Sequence, residues 1–401
     1  MSRTVFSGGR VFDGTGASIA EADLVVEDGR IADVGPDLDG DEQVDVRGRT
    51  LLPGFFDCHT HVILSHVDQW RSLQTPFSYK FYEAARNLDA TLQAGVTTVR
   101  DAGGADLGMK LAVADGLIRG PRLQISITMI SQTGGHGDSW FPSGVSLPLL
   151  PAHPGAPQGI VDGPEEMRRK VRELVRYGAD VIKVAVSGGV LSPRDRPHHA
   201  HLRRDELEVL VAEAAAAGIW VMAHAQAAAG IKAAVRAGIR SIDHGVYLDD
   251  EAISLMLERG TYLVPTLLAP TGVLEAAQAG AAIPEESLRK AREVIDVHRE
   301  SFRRAVAAGV KVAMGTDSGV TPHGHNLREL ALMARGGMSP SDVLVASTRT
   351  SAELLGLEHD LGSLEPGKLA DLVVVDGDPL ELETLPERVS AVYQRGRPVV
   401  A

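Results

Sequence analysis

Ala217-Gly218-Ile219-Trp220-Val221-Met222-Ala223-His224 is the stretch from which the fold is read. An alanine-rich helical pattern stops at a glycine, and a short apolar run starts at once and ends in a histidine. Glycine at the residue after a helix takes the left-handed conformation without a Cβ penalty, so it is the expected stop before a buried parallel strand. The same junction recurs at Ala94-Gly95-Val96, Tyr177-Gly178-Ala179, Ala237-Gly238-Ile239, Arg259-Gly260-Thr261 and Ala308-Gly309-Val310. Adding the runs at 54–61 and 122–131 makes eight strands, with helical patterns in most of the intervals. One helix start is well signalled, with Ser339 as N-cap, Pro340 in the first helical position and Asp342 in the first turn. Eight strand–helix units predict an α/β fold, a (β/α)8 barrel, whose reactive groups belong at the C-terminal ends of its strands.

The two ends of the chain read differently. Asp23-Leu24-Val25-Val26-Glu27 and Arg30-Ile31-Ala32-Asp33-Val34 flank Asp28-Gly29, a strong hairpin signal. Leu372-Val373-Val374-Val375 and Val389-Ser390-Ala391-Val392-Tyr393 are strand runs between turn signals. The 401 residues carry 40 basic and 53 acidic side chains, a formal charge of −13, which argues against a nucleic-acid or polybasic membrane surface. Cys58 is the only cysteine, so a disulfide framework is excluded. The first nine residues have no apolar core, and no apolar run reaches the ~18 residues of a membrane span, so a cytoplasmic protein is expected.

The strand ends carry the chemistry. His59 and His61 are two apart, so in a strand they share a face, about 7 Å apart along the backbone. Lys183 interrupts the apolar run 181–186. On an edge strand it would snorkel to water, but on a buried parallel strand desolvation lowers its pKa and gives a neutral amine. The next strands end in His224, in His244 and in Gly315-Thr316-Asp317-Ser318. Each has a bland structural use; five strand ends turning imidazole, amine or carboxylate to one face do not share one. Four imidazoles and a carboxylate suit two divalent ions, and a lysine amine that has captured carbon dioxide becomes a bridging carboxylate-type ligand. Two ions ~3.5–4 Å apart lower the pKa of a shared water toward ~7 and polarise a carbonyl or phosphoryl oxygen.

On these motifs the sequence resembles the amidohydrolase superfamily, in its imidazolonepropionase-related branch with Xaa-Pro dipeptidase and prolidase-like members. The motifs are Pro53-Gly54-Phe55-Phe56-Asp57-Cys58-His59-Thr60-His61, Gly178-Ala179-Asp180-Val181-Ile182-Lys183, Ala223-His224-Ala225, Ile242-Asp243-His244-Gly245 and Gly315-Thr316-Asp317-Ser318. The tail from Gly362 to Asp376 is equally typical. The resemblance implies that 1–52 and 357–401 join into a small β-sandwich beside a barrel over 53–356. It also implies roles: His59 and His61 on a buried metal, carboxylated Lys183 bridging, His224 and His244 on a second metal. Asp317 would bind the first ion and act as the catalytic base and acid. Two divalent ions, zinc by type, are the implied cofactors.

Substrate contacts are read more loosely. His136 lies in Gln132-Thr133-Gly134-Gly135-His136-Gly137-Asp138, a glycine-rich loop similar to a segment near the substrate in related sequences. Gln226 stands where relatives often carry an aromatic or histidine, which leaves the metal chemistry intact and opens the substrate question. Tyr247 and His323 follow predicted ligands closely enough to be candidates, packing being the commoner use of such residues. His198, His199 and His201 read as a solvated loop, in which Arg194 and Arg196 would steer a carboxylate. The function expected is hydrolysis of an amide bond in a small molecule, a dipeptide of the Xaa-Pro type or an N-acyl amino acid. Lactones, carbamates and phosphotriesters are the alternatives with the same metals. A mononuclear deaminase or a non-catalytic scaffold fits less well, because Lys183 and the full ligand set would then have no use. The partner expected is a small-molecule substrate, with no nucleic acid and no membrane; a homo-oligomer is left open.

Overall fold

The computed structural model describes residues 3–192 and 194–400. Its centre holds two parallel sheets. One has the order Arg122–Ile125, Val96–Asp101, Phe55–Thr60. The other runs Met129–Ile130, Val181–Ala185, Trp220–Ala225, Ser241–His244, Tyr262–Val264, each strand parallel to its neighbour. Helices such as Pro164–Arg176, Arg204–Ala216 and Ala228–Ala237 fill the crossovers. These helices bury one face each, for instance Met167, Val171 and Leu174, against strands buried along nearly their whole length. That is the pattern of a parallel sheet covered by helices. Gly238 and Gly309 end their helices at φ 97° and 87°, as the glycine junctions predict. Ser339 caps the helix Pro340–Ala346, its hydroxyl accepting from the Asp342 N–H at 3.1 Å.

Two of the eight expected strands differ. The run 122–131 is broken in the middle, because Ile127 sits at φ 68°, where a β-branched residue cannot continue a ladder. The run 310–318 is not a regular strand, although it is hydrogen-bonded on both sides. Leu263 N–H donates to the Lys311 carbonyl and Ala313 N–H to the Leu263 carbonyl. On the other flank, Cys58 N–H donates to Met314 and Asp317 N–H to His59, at 2.8 and 2.7 Å. A Cβ on Gly315 would lie 2.4 Å from Val264 Cγ1 and 3.1 Å from the His59 nitrogen, so the chain squeezes between its neighbours only because glycine stands there.

The chain ends form two mixed, mainly antiparallel sheets. A six-stranded sheet has the order Arg397–Val400, Val389–Gln394, Leu372–Asp376, Arg49–Pro53, Arg10–Val11, Ala20–Glu21. A four-stranded sheet runs Arg30–Gly35, Asp23–Glu27, Thr4–Ser7, Glu42–Asp45. Phe6, Leu24, Ile31, Leu51, Leu372 and Val374 form a common core between them. Phe6 meets Tyr393 edge to face, with centroids 4.9 Å apart. The Asp28-Gly29 hairpin has both residues at positive φ, 52° and 76°, as a type I′ turn requires. Among the described residues, no helix is long and apolar enough to cross a membrane.

Candidate metal centre

Strand register decides which side chains meet. Lys183 is paired with Met222, and His224 with both Ala185 and Asp243. Register partners share a face and residues two apart share it too, so Lys183, His224 and Asp243 all face the same way. His244, the next residue, would face away. It sits at φ 72° instead, where the strand ends, and its ring comes to 4.9 Å from that of His59 and 4.6 Å from that of His224. Asp317 is likewise left-handed, at φ 61°, and so is Thr266, at φ 50°. Such residues cost about 1–3 kcal/mol each and persist where the surroundings hold them.

His59 Nε2 and His61 Nε2 approach one atom, Asp317 Oδ1, at 3.5 and 3.3 Å. That oxygen is buried and has no hydrogen-bond partner. One ligand atom each from His59, His244 and Asp317 lies within 4.8 Å of the others. Ligands bonded at ~2.1 Å to one ion stand roughly 3–3.5 Å apart, the spacing of Asp317 Oδ1 from His59 and His61, so a divalent cation fits there. Three of the other ring nitrogens are held by neighbours. His61 Nδ1 donates to the Gly103 carbonyl at 2.8 Å, and His224 Nε2 to that of Gly188 at 3.0 Å. His244 Nδ1 lies 2.6 Å from Thr266 Oγ1. The two carbonyl contacts set the tautomers of His61 and His224 and leave their opposite nitrogens with lone pairs, as outer partners of ligating histidines do, while the Thr266 hydroxyl orients the His244 ring. His59 Nδ1 lies 3.0 Å from Asp243 Oδ2, out of hydrogen-bond alignment.

Electrostatics put most of these groups in the states that ligation needs; the exception is His61, where burial is outweighed by Asp317 and Asp101 and the imidazole is raised. Burial holds His59 at about 4, and burial with neighbouring charge holds His224 and His244 well below the usual imidazole range, so all three are neutral. Burial would raise Asp317, but His59, His61 and Lys183 outweigh it and keep the carboxylate ionised. In Lys183, burial lowers the amine, against the pull of Asp243. Its Nζ is 2.8 Å from Asp243 Oδ2, while Arg100 and Ser241 donate to Oδ1 at 3.3 and 3.1 Å.

A cavity of about 470 Å3 opens over this cluster. His59, His61, Lys183, His224, His244 and Asp317 line it, with His136 and Gln226, and its outer walls are mostly apolar: Phe77, Phe141, Leu147, Leu150, Val273 and Val294 among them. The sequence profile of the Amidohydrolase family matches residues 50–398. The chain belongs to the amidohydrolase family. It is 35% identical to the ochratoxinase of Aspergillus niger, over 98% of this chain and 86% of that protein. A solved Xaa-Pro dipeptidase with methionine bound in its active site is 34% identical, with a TM-score of 0.91 and full coverage of both chains. A prolidase complexed with N-methylphosphonate-L-proline is 37% identical, with a TM-score of 0.90 over 99% of each chain.

In this amidohydrolase the looser sequence candidates separate. Gln226 is 5% exposed with its Oε1 unpartnered beside the cavity. Tyr247 does not line the cavity; it packs in an apolar cluster near Val246 and Leu274. His323 is also outside the lining, its Nε2 donating to the Leu64 carbonyl at 3.0 Å. Arg194, Arg196, His198 and His199 are exposed and His201 is buried, and none of them reaches the cavity. Sequence reading passed over Lys80, whose Nζ donates to the Leu149 carbonyl at 3.0 Å on the cavity wall. It also gave Asp243 no role, although aligning the two histidine-ended strands by register would have turned it inward.

The helix Glu285–Ala308 braces the site from behind. His298 Nε2 donates to the His244 carbonyl at 2.9 Å, and Ser301 Oγ to the Val246 carbonyl at 2.7 Å. Burial holds His298 at about 4. The unfolded chain therefore binds one more proton than the folded chain between pH ~6.5 and about 4, and stability falls as pH falls through that window. The expected loss is roughly 3 kcal/mol at the acid end. In urea unfolding across that range, His298→Gln should show a pH slope shallower by one proton; an unchanged slope would remove His298 from the acid response.

Proposed function

We propose that the protein is a binuclear metal-dependent hydrolase that cleaves the amide bond of a dipeptide, Xaa-Pro in type, or of an N-acyl amino acid. The observation that carries this reading is the approach of His59 and His61 to the unpartnered Asp317 oxygen, beside Lys183 and the free nitrogens of His224 and His244. His59, His61 and Asp317 would hold one ion, and His224 and His244 the other, with Lys183 carboxylated between them. The two parallel sheets are taken as arcs of one (β/α)8 barrel over 53–356, joined through 310–318, with 1–52 and 357–401 as the β-sandwich. When bound, two divalent ions, zinc in the first instance, supply Lewis acidity and lower the pKa of a water toward ~7. Asp317 takes the proton of the attacking water and passes it to the departing nitrogen, which is too poor a leaving group without it. The relatives that act as an ochratoxinase, a Xaa-Pro dipeptidase and a prolidase support an amide substrate.

Lys80 extends the reading to the substrate's far end. Lys80 and Lys183 are the lysines that line the cavity, and no arginine joins them among the described residues. Lys183 is committed to the metal side, so Lys80 is left to meet the free carboxylate of a dipeptide or N-acyl amino acid. Burial already depresses its ammonium, which makes an arriving carboxylate a favourable partner.

A panel of dipeptides and N-acyl amino acids incubated with the zinc-loaded protein tests the proposal; turnover confined to lactones, carbamates or phosphotriesters would transfer the centre to those substrates. Asp317→Asn is an informative variant because asparagine tolerates the left-handed backbone. A folded protein is expected whose kcat falls ~10²–10⁴-fold, and a near-normal kcat would take Asp317 out of the mechanism. Lys80→Met should raise KM roughly 10–100-fold for a substrate with a free carboxylate and leave its C-terminal amide nearly unaffected. Equal effects on both would contradict carboxylate recognition.

A further inference from the structure

His136 is held more tightly than a cavity-lining loop residue requires. One face of its ring stacks on His224, with centroids 4.0 Å apart and planes at 14°. Gly189 also lies against the ring, where a Cβ would come within 2.2 Å of Cε1 and 2.5 Å of Nδ1, so no larger residue fits. The edge of the ring is fixed as well. Nδ1 is 2.9 Å from Ser192 Oγ and 3.7 Å from Asp195 Oδ2. Ser192 Oγ makes a short hydrogen bond to Asp195 Oδ1, and Asp195 Oδ2 accepts from the Gly189 N–H at 3.3 Å.

Behind this pair stands a buried lysine. Lys290, 1% exposed on the helix Glu285–Ala308, donates to the Ser192 carbonyl at 2.7 Å and to that of Gly189 at 3.1 Å. It also lies 3.4 Å from Asp195 Oδ1. The Asp195 side chain is 2% exposed, so its charge is matched inside the protein. Burial opposes ionisation, but His136, Ser192 and Lys290 hold its carboxyl at about 2.

The proton count then has one solution. An ionised Asp195 and the Gly189 carbonyl, 3.3 Å from Ser192 Oγ, can only accept, so the single Ser192 proton goes to one of them. Ser192 Oγ therefore offers His136 a lone pair, and Nδ1 must carry the proton. Nε2 has no hydrogen-bond partner among the described residues, and the ring lines the cavity. We propose that Ser192, Asp195 and Lys290 are positioning residues that fix His136 with Nδ1–H turned inward and Nε2 turned to the substrate. Lys290 ties the backbone of the loop to the helix, Asp195 orients the Ser192 hydroxyl, and the hydroxyl sets the histidine. The kinetic test rests on the amide-hydrolase reading; the assignment of the proton does not.

The experiment has two arms on zinc-loaded protein. In the first, protein labelled with 15N-histidine is examined by NMR, the His136 signals being assigned by their loss in His136→Gln. A proton on Nδ1 is expected in the wild type, and a bare Nδ1 would overturn the proposal. In the second, Ser192→Ala is measured alone and in a His136→Ala background, on a dipeptide that the wild type cleaves. Alone it should raise KM about tenfold with kcat nearly unchanged, the order expected for one lost hydrogen bond. In the His136→Ala background it should add little, and Ser192→Thr, which keeps the hydroxyl, should restore KM. Equal costs in both backgrounds would mean that Ser192 only supports the loop, and would also overturn the proposal. If no amide is cleaved at all, the functional reading fails while the NMR arm still decides this one.

Discussion

The contact between Lys183 Nζ and Asp243, 2.8 Å apart and at most 1% exposed on either side, is the constraint around which the centre is arranged. Removing the Asp243 carboxylate from water costs several kcal/mol even after relaxation, and an opposite charge with further donors is needed to offset it. The strands supply those donors. Arg100, from Val96–Asp101, gives one N–H to Asp243 and another to the Cys58 carbonyl, and Ser241 gives its hydroxyl. Three strands thus meet on one carboxylate, and a fourth, Phe55–Thr60, is tied in through Arg100. Deleting Arg100 leaves that charge uncompensated, a loss of about 3–5 kcal/mol, so the floor of the site is also a lock on strand register.

Above that floor, function is placed where the backbone leaves its regular geometry. His244, Thr266 and Asp317 are left-handed without being glycine, the first two at or just beyond the end of a strand and Asp317 near the end of the irregular run 310–318. An extended strand would alternate its side chains and turn one of Asp243 and His244 away from the cluster. The positive φ at His244 lets adjacent residues serve adjacent layers, Asp243 below and the imidazole above. The strain is held from outside by Glu285–Ala308, whose Lys290, His298 and Ser301 recur at helical spacing on one face and hydrogen-bond to carbonyls of the site loops. A helix that is otherwise only packing thereby fixes the loop around Ser192 and the turns after His244.

Much of this is readable in sequence, for reasons that can be named. The glycine junctions report helix ends because the left-handed residue is a local requirement, and the hairpin at Asp28-Gly29 is local in the same sense. The six candidate ligands come together because period-two alternation and strand ends are also short-range rules. What escapes is set by contacts far apart in the chain. Ile127 interrupts its strand through a backbone conformation that no neighbouring residue announces. Lys290 reaches Asp195 from 95 residues away, and nothing around it in sequence separates it from a surface lysine. Tyr247 and His323 are near ligands in sequence and yet outside the cavity lining, because the chain has already turned by the time it reaches them. Lys80 lines that cavity from a helix that carries none of the metal-site motifs.

The central claim is a centre of two ions sharing Lys183, and the most direct measurement is a metal titration of the apoprotein. Metal-free protein is given increasing zinc, and bound metal and rate are followed together. The account predicts that activity rises to a plateau at two equivalents per chain, and that Lys183→Ala fails to retain the pair. Full activity at one equivalent, or two tightly held ions in Lys183→Ala with normal turnover, would contradict it.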